Sequence, residues 1–280
     1  MTGWNSETAA RLQDLARELR CDIIRMITEA GSGHPGGSLS AIDIVTYLYF
    51  HLMRVDPANP GWEDRDRFVL SKGHCSPAPY AALARRGYFP REVLWTLRDV
   101  GSPLQGHPDM RKTPGIDMTT GSLGQGFSAA TGIALGGKCQ GKDFRVYCML
   151  GDGEVQEGVV WEAAMAAAHY RLDNLVAVVD NNKLQTDGAT AEIIGIEPLE
   201  EKFRAFGWEA RRIDGHDFNA IHEAFEWAQE RAGKPHAIVA DTVKGKGIRE
   251  MEGDHRWHGL PPTREQAERF LKELGEEVAV

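Results

Sequence analysis

A carboxylate residue and an amide residue each follow an apolar segment, which suits them to bind one ligand together. Asp152 comes just after the apolar segment Phe144 to Leu150, and Asn182 follows the segment Leu175 to Val179. The Ala-rich stretch between them is long enough for a helix, so a strand–helix–strand unit is the simplest interpretation. The two polar positions then meet at the carboxyl ends of parallel strands, the edge at which open α/β sheets bind ligands.

The oxygen atoms at these positions suit a divalent cation that is bound together with a diphosphate. Asp152 offers a carboxylate oxygen, Asn182 an amide oxygen, and the backbone carbonyl of Leu184 a third oxygen. Mg²⁺ prefers a few such ligands, and phosphate oxygens complete its octahedron. Gly151 and Gly153 leave room for a phosphate beside the backbone. Gly-Asp-Gly and Asn-Asn each also mark ordinary turns, so the prediction depends on their spacing across one βαβ unit.

Four of the ten histidines stand beside glycine in segments that are typical of loops: His34, His74, His107 and His258. An imidazole with an ordinary pKa near ~6.5 can exchange protons at neutral pH. Any one histidine in such a loop is more often unremarkable than catalytic. The segment Thr119 to Gly126, which contains Gly121-Ser122-Leu123, leads into an Ala/Gly-rich helix that ends near Gly137. Its small residues fit close packing against a cofactor or against a neighbouring helix equally well.

Taken together, these motifs resemble the transketolase family in type, order and spacing. The resemblance implies a thiamine-diphosphate-binding α/β fold whose mostly parallel sheet has helices on both faces. It rests on the paired motifs of Asp152 and Asn182 and on these further segments: Ser32-Gly33-His34-Pro35-Gly36, Leu70-Ser71-Lys72-Gly73-His74, Gly106-His107-Pro108, Glu157-Gly158, Asp187-Gly188 and His258-Gly259.

The resemblance also implies a role for each matching residue. Asp152, Asn182 and the Leu184 carbonyl would hold Mg²⁺, with Ca²⁺ or Mn²⁺ as alternatives. His74 and His258 would contact the diphosphate side of the cofactor and the substrate. The remaining implied roles fall into three groups: catalytic contacts with sugar hydroxyls by His34, His107 and His258; cofactor contacts by Gly121, Ser122, Leu123 and Gly153; and a subunit contact by Glu157 and Glu162.

The resemblance covers only the diphosphate-binding domain of a transketolase, which we assign to residues 1–280 as a single domain. The pyrimidine-binding and C-terminal domains have no counterpart in the sequence. We therefore expect an N-terminal subunit of a split transketolase, which moves a two-carbon ketol unit from a ketose to an aldose. Its partner would be a C-terminal subunit that carries the pyrimidine domain, in an α2β2 heterotetramer acting on sugars or sugar phosphates.

Three alternatives remain open at this point. The α subunit of a thiamine-dependent 2-oxoacid dehydrogenase has a similar metal motif but would not be expected to share the histidine motifs. Deoxyxylulose-phosphate synthase is a closer relative, but it is normally a single long chain. A non-catalytic scaffold that kept the fold is the third, although the intact metal and histidine motifs argue against it.

Composition restricts the protein class further. The chain has 280 residues, of which 42% are hydrophobic and 26% are charged, as in ordinary globular proteins. Its net charge of −9 argues against non-specific nucleic-acid binding. No apolar run is long enough to span a membrane. The four cysteines are scattered without a C-x-x-C motif, so we expect no zinc site, no disulfide framework and a cytoplasmic location.

The remaining sequence predicts alternating helices and strands. Of the other histidines, His51, His169, His222 and His236 are interpreted as structural, whereas His216 and His255 are left undecided. The predicted helices are Ser6 to Ala30, Leu39 to Leu52, Ala78 to Arg86, Glu92 to Val100, Phe218 to Arg231 and Thr263 to Leu274, and the further predicted strands are Arg67 to Ser71, Trp208 to Ile213 and Ala237 to Thr242.

Overall fold

The computed structural model describes residues 3–230 and 233–276, which form an α/β fold around one sheet of five parallel strands. The sheet order is β1-β2-β3-β5-β4, and every pair of neighbours is parallel. The strands are β1 (Arg67–Leu70), β2 (Val146–Gly151), β3 (Leu175–Asn181), β4 (Glu209–Asp214) and β5 (His236–Asp241).

The central strands are buried on both faces, as parallel strands covered by helices must be. Alternate residues along β2 belong to two different hydrophobic clusters: Tyr147 and Met149 to one, Cys148 and Leu150 to the other. Because successive side chains of a strand point to opposite faces, the sheet separates the core into two layers. The α-helices are α1 (Ser6–Ala30), α2 (Pro35–Tyr47), α3 (Pro77–Arg86), α4 (Gln125–Cys139), α5 (Gly158–His169), α6 (Thr190–Ile193), α7 (Leu199–Ala205), α8 (Phe218–Trp227) and α9 (Arg264–Glu273).

Helices α1, α2, α3, α8 and α9 supply residues to the first layer, and α4, α5 and α7 supply the second. The predicted architecture, with helices on both faces of a parallel sheet, is thus confirmed, and the described strands are parallel without exception. Short helical turns complete the fold: a π-helix at Leu48–Leu52 and 3-10 turns at Gly73–Cys75, Arg91–Thr96, Gly153–Gln156 and His255–His258.

Three predicted helices differ from the structure by more than one residue at an end. The second helix begins at Pro35 rather than Leu39, because proline is well suited to the first helical turn. The predicted helix Glu92 to Val100 is wrong: a 3-10 turn ends at Thr96, and Arg98 then takes a left-handed conformation with φ 68°. Helix α8 ends at Trp227, and the predicted end at Arg231 lies outside the described residues.

The glycines of α4 differ in how closely they approach the rest of the fold. A Cβ atom on Gly126 would lie 2.6 Å from the Cα atom of Ser71, just after β1. A Cβ atom on Gly132, further along the helix, would meet nothing within 4 Å. Helix α4 therefore requires glycine for packing at Gly126 but not at Gly132.

No helix within the described ranges is both long enough and apolar enough to cross a lipid bilayer.

We predict opposite effects of alanine at these two glycines. Gly126→Ala forces backbone atoms apart at a fully packed site and should lower the free energy of unfolding by about 1–3 kcal/mol. Gly132→Ala removes a flexible residue from a helix interior and should raise it by about 0.5–1 kcal/mol. Chemical denaturation of the two variants beside the wild type measures both changes. Equal effects of the two substitutions would contradict the packing described for α4.

Candidate active site

A cavity of about 290 Å³ lies at the carboxyl ends of the strands and collects most of the predicted site residues. Ser122 and His107 are exposed and do not line the cavity, but the His107 ring lies 3.5 Å from the Cβ position of Gly121, which does. The predicted residues that line the cavity are His34, His74, Gly121, Leu123, Asp152, Gly153, Asn182, Leu184 and His258.

Each of these side chains is placed by the end of a secondary-structure element. The turn after β1 carries His74, β2 ends beside Asp152, and β3 ends beside Asn182. His34 is the residue just before helix α2, and His258 ends the 3-10 turn that follows β5 in the chain. The parallel register brings these strand ends to one edge, as the sequence pattern predicted.

The Asp152 carboxylate is buried and held by the backbone. Its Oδ1 atom accepts a hydrogen bond of 2.8 Å from the Gly153 amide, and its Oδ2 atom accepts one from the Lys183 amide. Burial raises the pKa of Asp152 to about 6, and the nearby Asp180 carboxylate acts in the same direction. Burial and the nearby negative charge both disfavour the ionised form of Asp152, and a bound divalent cation would offset both effects.

The Asn182 amide is oriented by its neighbours. Its Nδ2 group donates a hydrogen bond of 3.2 Å to Asp180, so its Oδ1 atom turns the other way, where it accepts the Leu184 amide at 3.2 Å. Lys183 between them has φ 66°, and this left-handed residue starts a tight loop in which Leu184 pairs with Ala189. The loop thus brings the Leu184 backbone to the cavity beside the Asn182 oxygen.

These donors fit the predicted metal and diphosphate. Within residues 3–230 and 233–276, no group of three or more His, Cys, Asp or Glu side chains is arranged to hold a metal ion. One carboxylate, one amide oxygen and one carbonyl leave room in an octahedron for phosphate oxygens, which is the coordination Mg²⁺ favours. The Nδ1 atom of His34 is buried in the same cavity without a hydrogen-bond partner, as expected of a group that meets a ligand.

Four histidines cluster beside these oxygen donors. The ring centroid of His34 lies 5.2 Å from that of His74, 5.4 Å from that of His258 and 6.4 Å from that of His107. The rings of His74 and His258 are 5.0 Å apart. The four sequence motifs that stand far apart along the chain therefore converge on one place.

The environment of the cluster keeps its imidazoles neutral. Burial lowers the pKa of His34 to about 4, with further lowering by Arg98 and His107. Burial, followed by the charge of Lys244, lowers the pKa of His258 to about 3. The pKa of His74 falls well below its usual value, chiefly through burial, and that of His107 falls through burial and Arg98. At neutral pH these rings are therefore uncharged, and each has one nitrogen that can accept a hydrogen bond.

Two lysines that the sequence reasoning did not single out also line the cavity. Lys72 is buried and donates a hydrogen bond of 2.9 Å to the Gly37 carbonyl, besides forming an ion pair with Asp180. Lys244, also buried, lies 3.3 Å from Nδ1 of His258, and burial lowers its pKa. The sequence pattern that could have indicated them is a lysine followed by glycine soon after a strand, as in Lys72-Gly73 and Lys244-Gly245.

Glu154, which the sequence reasoning also missed, holds the walls of the cavity together. Its carboxylate accepts hydrogen bonds from the Ser71 hydroxyl, from the Gly124 amide at 2.7 Å and from the Gly151 amide at 2.9 Å. These groups belong to the segment after β1, the start of α4 and the end of β2. Only the three-dimensional contact reveals this role, since the sequence shows no more than one acidic residue in a turn.

The other histidines have structural surroundings. His216 bridges Asp43, at 2.7 Å, and the Val243 amide, at 2.9 Å. His51 and His222 lie in an aromatic cluster with Trp4 and Tyr47. His236 is buried in β5, His169 is exposed, and His255 does not line the cavity.

Comparison with known proteins identifies the family. The family described as "Transketolase, thiamine diphosphate binding domain" matches residues 9–279. The 6-deoxy-6-sulfo-D-fructose transketolase subunit SqwG of Clostridium sp. (strain MSTE9) is 51% identical over 98% of this chain and 100% of its own length. An apulose-4-phosphate transketolase subunit of Phocaeicola vulgatus is 42% identical over 91% of both chains.

Solved structures agree with the sequence comparison. Transketolase from Leishmania mexicana superposes with a TM-score of 0.91 at 31% identity over 95% of this chain. Transketolase from Campylobacter jejuni superposes with a TM-score of 0.90 at 35% identity over 98% of it. The match spans only 41% and 44% of those two longer chains, in contrast to its near-complete match with the two subunits. The protein is therefore a member of the transketolase family, a transferase subunit built on the thiamine diphosphate-binding domain and similar to the N-terminal subunits of split transketolases.

Proposed function

We propose that residues 1–280 form one diphosphate-binding domain that works with a separate C-terminal subunit carrying the pyrimidine domain. The two chains would assemble as an α2β2 heterotetramer and transfer a two-carbon ketol unit between sugars. The observation that carries this proposal is the cavity in which a histidine cluster adjoins the donors Asp152, Asn182 and Leu184. Thiamine diphosphate, when bound there, would supply the nucleophilic carbon and the electron sink for breaking a ketose carbon–carbon bond.

The metal in this proposal is Mg²⁺, with Ca²⁺ or Mn²⁺ able to replace it. Asp152, Asn182 and the Leu184 carbonyl would be its protein ligands, and they are all hard oxygen donors of the kind these cations select. Gly153 lies beside Asp152 in the same wall and leaves backbone room for a phosphate.

The diphosphate would be held by the basic side of the cavity. Lys244 brings a positive charge to the cavity wall, and His74 and His258 stand beside it. Gly121 and Leu123 line the same cavity and would lie under the cofactor rings, with Ser122 beside them at the surface. Burial makes these contacts stronger than the same contacts in water.

The sugar would lie against the histidines. His34 and His258 are neutral and close together, so each has an unprotonated ring nitrogen that can accept a hydrogen bond from a substrate hydroxyl, and the proposed proton transfer would start from this contact. His107, exposed beside Gly121, would bind the terminal hydroxyl of the two-carbon unit.

Substrates of one chemical class are favoured. The names of the two subunit relatives refer to a sulfonated and a phosphorylated sugar, and both substituents are strong anions. We propose a ketose with an anionic group at its far end as donor. The neutral histidines described here suit hydroxyl groups, so we place recognition of that anion on the partner subunit.

The partner surface would include the exposed side of α4 and α5. Met165 is 52% exposed and Tyr170 is 50% exposed on or just after α5, while Gly132 and Gly136 leave open space along α4. Glu157 and Glu162 are exposed at the start of α5, which supports their proposed subunit contact. Apolar side chains and small residues that stand uncovered together are typical of an association surface.

The metal assignment predicts that Asp152→Asn weakens Mg²⁺ and thiamine diphosphate binding together, because the ion joins protein to diphosphate. We expect a loss of at least about tenfold in cofactor affinity at limiting Mg²⁺. Calorimetric titration of the assembled protein measures it, with the exposed Asp14→Asn on α1 as the matched control. Unchanged affinity of Asp152→Asn at limiting Mg²⁺ would exclude Asp152 as a ligand.

The partner proposal predicts that ketol transfer requires both chains. Light scattering should detect a complex of two plus two chains, and aldose release from fructose 6-phosphate or 6-deoxy-6-sulfofructose should rise with the amount of partner until the chains are equimolar. Met165→Asp should weaken assembly, because a carboxylate would replace an apolar contact. Gln13→Asp on the exposed side of α1 is the control. Full activity of this chain alone would refute the proposal.

The neutral histidines predict a loss of stability in mild acid. Their pKa values are lower in the folded chain than the ordinary value of ~6.5, so the unfolded chain binds more protons as the pH falls below that value. Their stabilising contribution is complete above that pH and declines towards the folded pKa values of about 4 and 3.

Thermal unfolding at pH 7.5 and pH 5.5 tests this sign. His258→Gln should lose less stability between the two pH values than the wild type, whereas the exposed His169→Gln should behave like the wild type. A wild-type midpoint that rises on acidification would contradict the burial of neutral imidazoles.

A further inference from the structure

Arg98 occupies a strained backbone position next to the histidine cluster. It is one of three non-glycine residues with positive φ among those described, at 68°. Its amide donates a hydrogen bond of 2.9 Å to the Leu104 carbonyl, which closes the loop between them. A non-glycine residue in this conformation costs of order 1 kcal/mol or more, so it persists only where the surrounding contacts fix it.

The guanidinium of Arg98 joins two loops that each carry a histidine. Its Nη1 group donates a hydrogen bond of 2.5 Å to the Ser32 hydroxyl, two residues before His34. The guanidinium also lies against Gly106, directly before His107. A Cβ atom on Gly106 would be 2.9 Å from its Nε atom and 3.0 Å from its Cζ atom.

The charge of this guanidinium is not neutralised by a carboxylate within the described part of the chain, and its Nε atom is buried without a hydrogen-bond partner. An arginine kept only for packing normally has an acidic or carbonyl partner for each buried group. The positive charge instead acts on the site, where it contributes to the lowered pKa values of both His34 and His107.

We propose that Arg98 is a positioning residue of the transketolase site, which fixes the His34 loop against the His107 loop and thereby sets how the two imidazoles meet the sugar. The part of this inference that concerns the sugar rests on the proposed function. The clamp, by which we mean the contacts of Arg98 with Ser32 and Gly106, belongs to this chain alone and can be tested without catalysis.

The charged groups that face the two rings come from several elements. His34 faces His74 after β1, His258 and Lys244 after β5, and His107 and Arg98 from the segment before α4. His107 faces Arg98 and, at 6.4 Å, His34. Arg98 is the cation that contributes to the lowered pKa values of both rings, so its removal should change the titration of both.

The variants separate the charge from the hydrogen bond. Arg98→Gln removes the charge and most of the bridge. Arg98→Lys keeps a charge but loses the planar contact with Gly106 and Ser32. Ser32→Ala removes one hydrogen bond and leaves the charge. Lys112→Gln, an exposed cation of the following loop, is the matched control for loss of charge.

The first measurement follows ring titration of His34 and His107 by NMR in the full chain labelled at histidine. In Arg98→Gln both rings should titrate roughly half a pH unit higher than in the wild type, whereas in Arg98→Lys and Lys112→Gln they should titrate as in the wild type. Unchanged titration of both rings in Arg98→Gln would overturn the shared role of this residue. If Arg98→Gln does not fold, a changed separation of the two rings in Ser32→Ala, measured by distance-dependent NMR contacts, supports the clamp, and an unchanged separation overturns it.

The second measurement uses the complex with its partner chain, with fructose 6-phosphate or 6-deoxy-6-sulfofructose as donor. Arg98→Gln should raise the donor KM on the order of tenfold, with less than about a twofold change in thiamine diphosphate affinity. An equal loss of cofactor affinity would mean a general structural role and would refute the proposal. A wild-type complex without ketol transfer would instead refute the proposed function, and the ring titration would still decide the role of Arg98.

Discussion

The buried ion pair between Lys72 and Asp180 is the interaction on which the site depends. Besides Lys72, the Asp180 carboxylate accepts hydrogen bonds from the Ser40 hydroxyl at 2.6 Å, from the Thr242 hydroxyl and from the Asn182 amide at 3.2 Å. Burial alone would raise the pKa of Asp180, but the ammonium of Lys72 and these donors lower it, so the carboxylate stays charged. Four segments, namely α2, the turn after β1, the end of β3 and the end of β5, thus meet at one charge.

The geometry of the proposed metal site therefore depends on the buried contacts of Asp180 as well as on the metal ligands. Removing one partner of a buried pair leaves an uncompensated charge and costs roughly 3–5 kcal/mol. Because Asp180 engages the amide nitrogen of Asn182, it also decides which way the Asn182 oxygen faces. A carboxylate outside the proposed ligand set therefore determines the direction of a ligand atom, which is how outer contacts commonly tune metal sites.

Much of the fold and site could be predicted because the relevant signals are local. The apolar segments that end at Asp152 and Asn182, and the glycines beside four histidines, mark strand ends and loops directly. The roles of Lys72, Glu154 and Arg98 could not be predicted, because each depends on which distant segment its side chain meets. The wrong helix over Glu92 to Val100 has the same origin: its residues favour a helix, but the contacts of Arg98 with the loops override that local preference.

The bridge made by His216 has a consequence for a distant part of the cavity wall. Its Nε2 atom accepts the Val243 amide, so the single ring proton must sit on Nδ1 and point at Asp43. Asp43 is in turn fixed by Arg20, at 2.6 Å, which ties the ring to α1 and α2. A second ring proton would set one N–H group against another and would release the amide just before Lys244. The tautomer of His216 protonated at Nδ1 thus helps to fix the backbone just before Lys244 relative to α1 and α2, although His216 itself does not line the cavity.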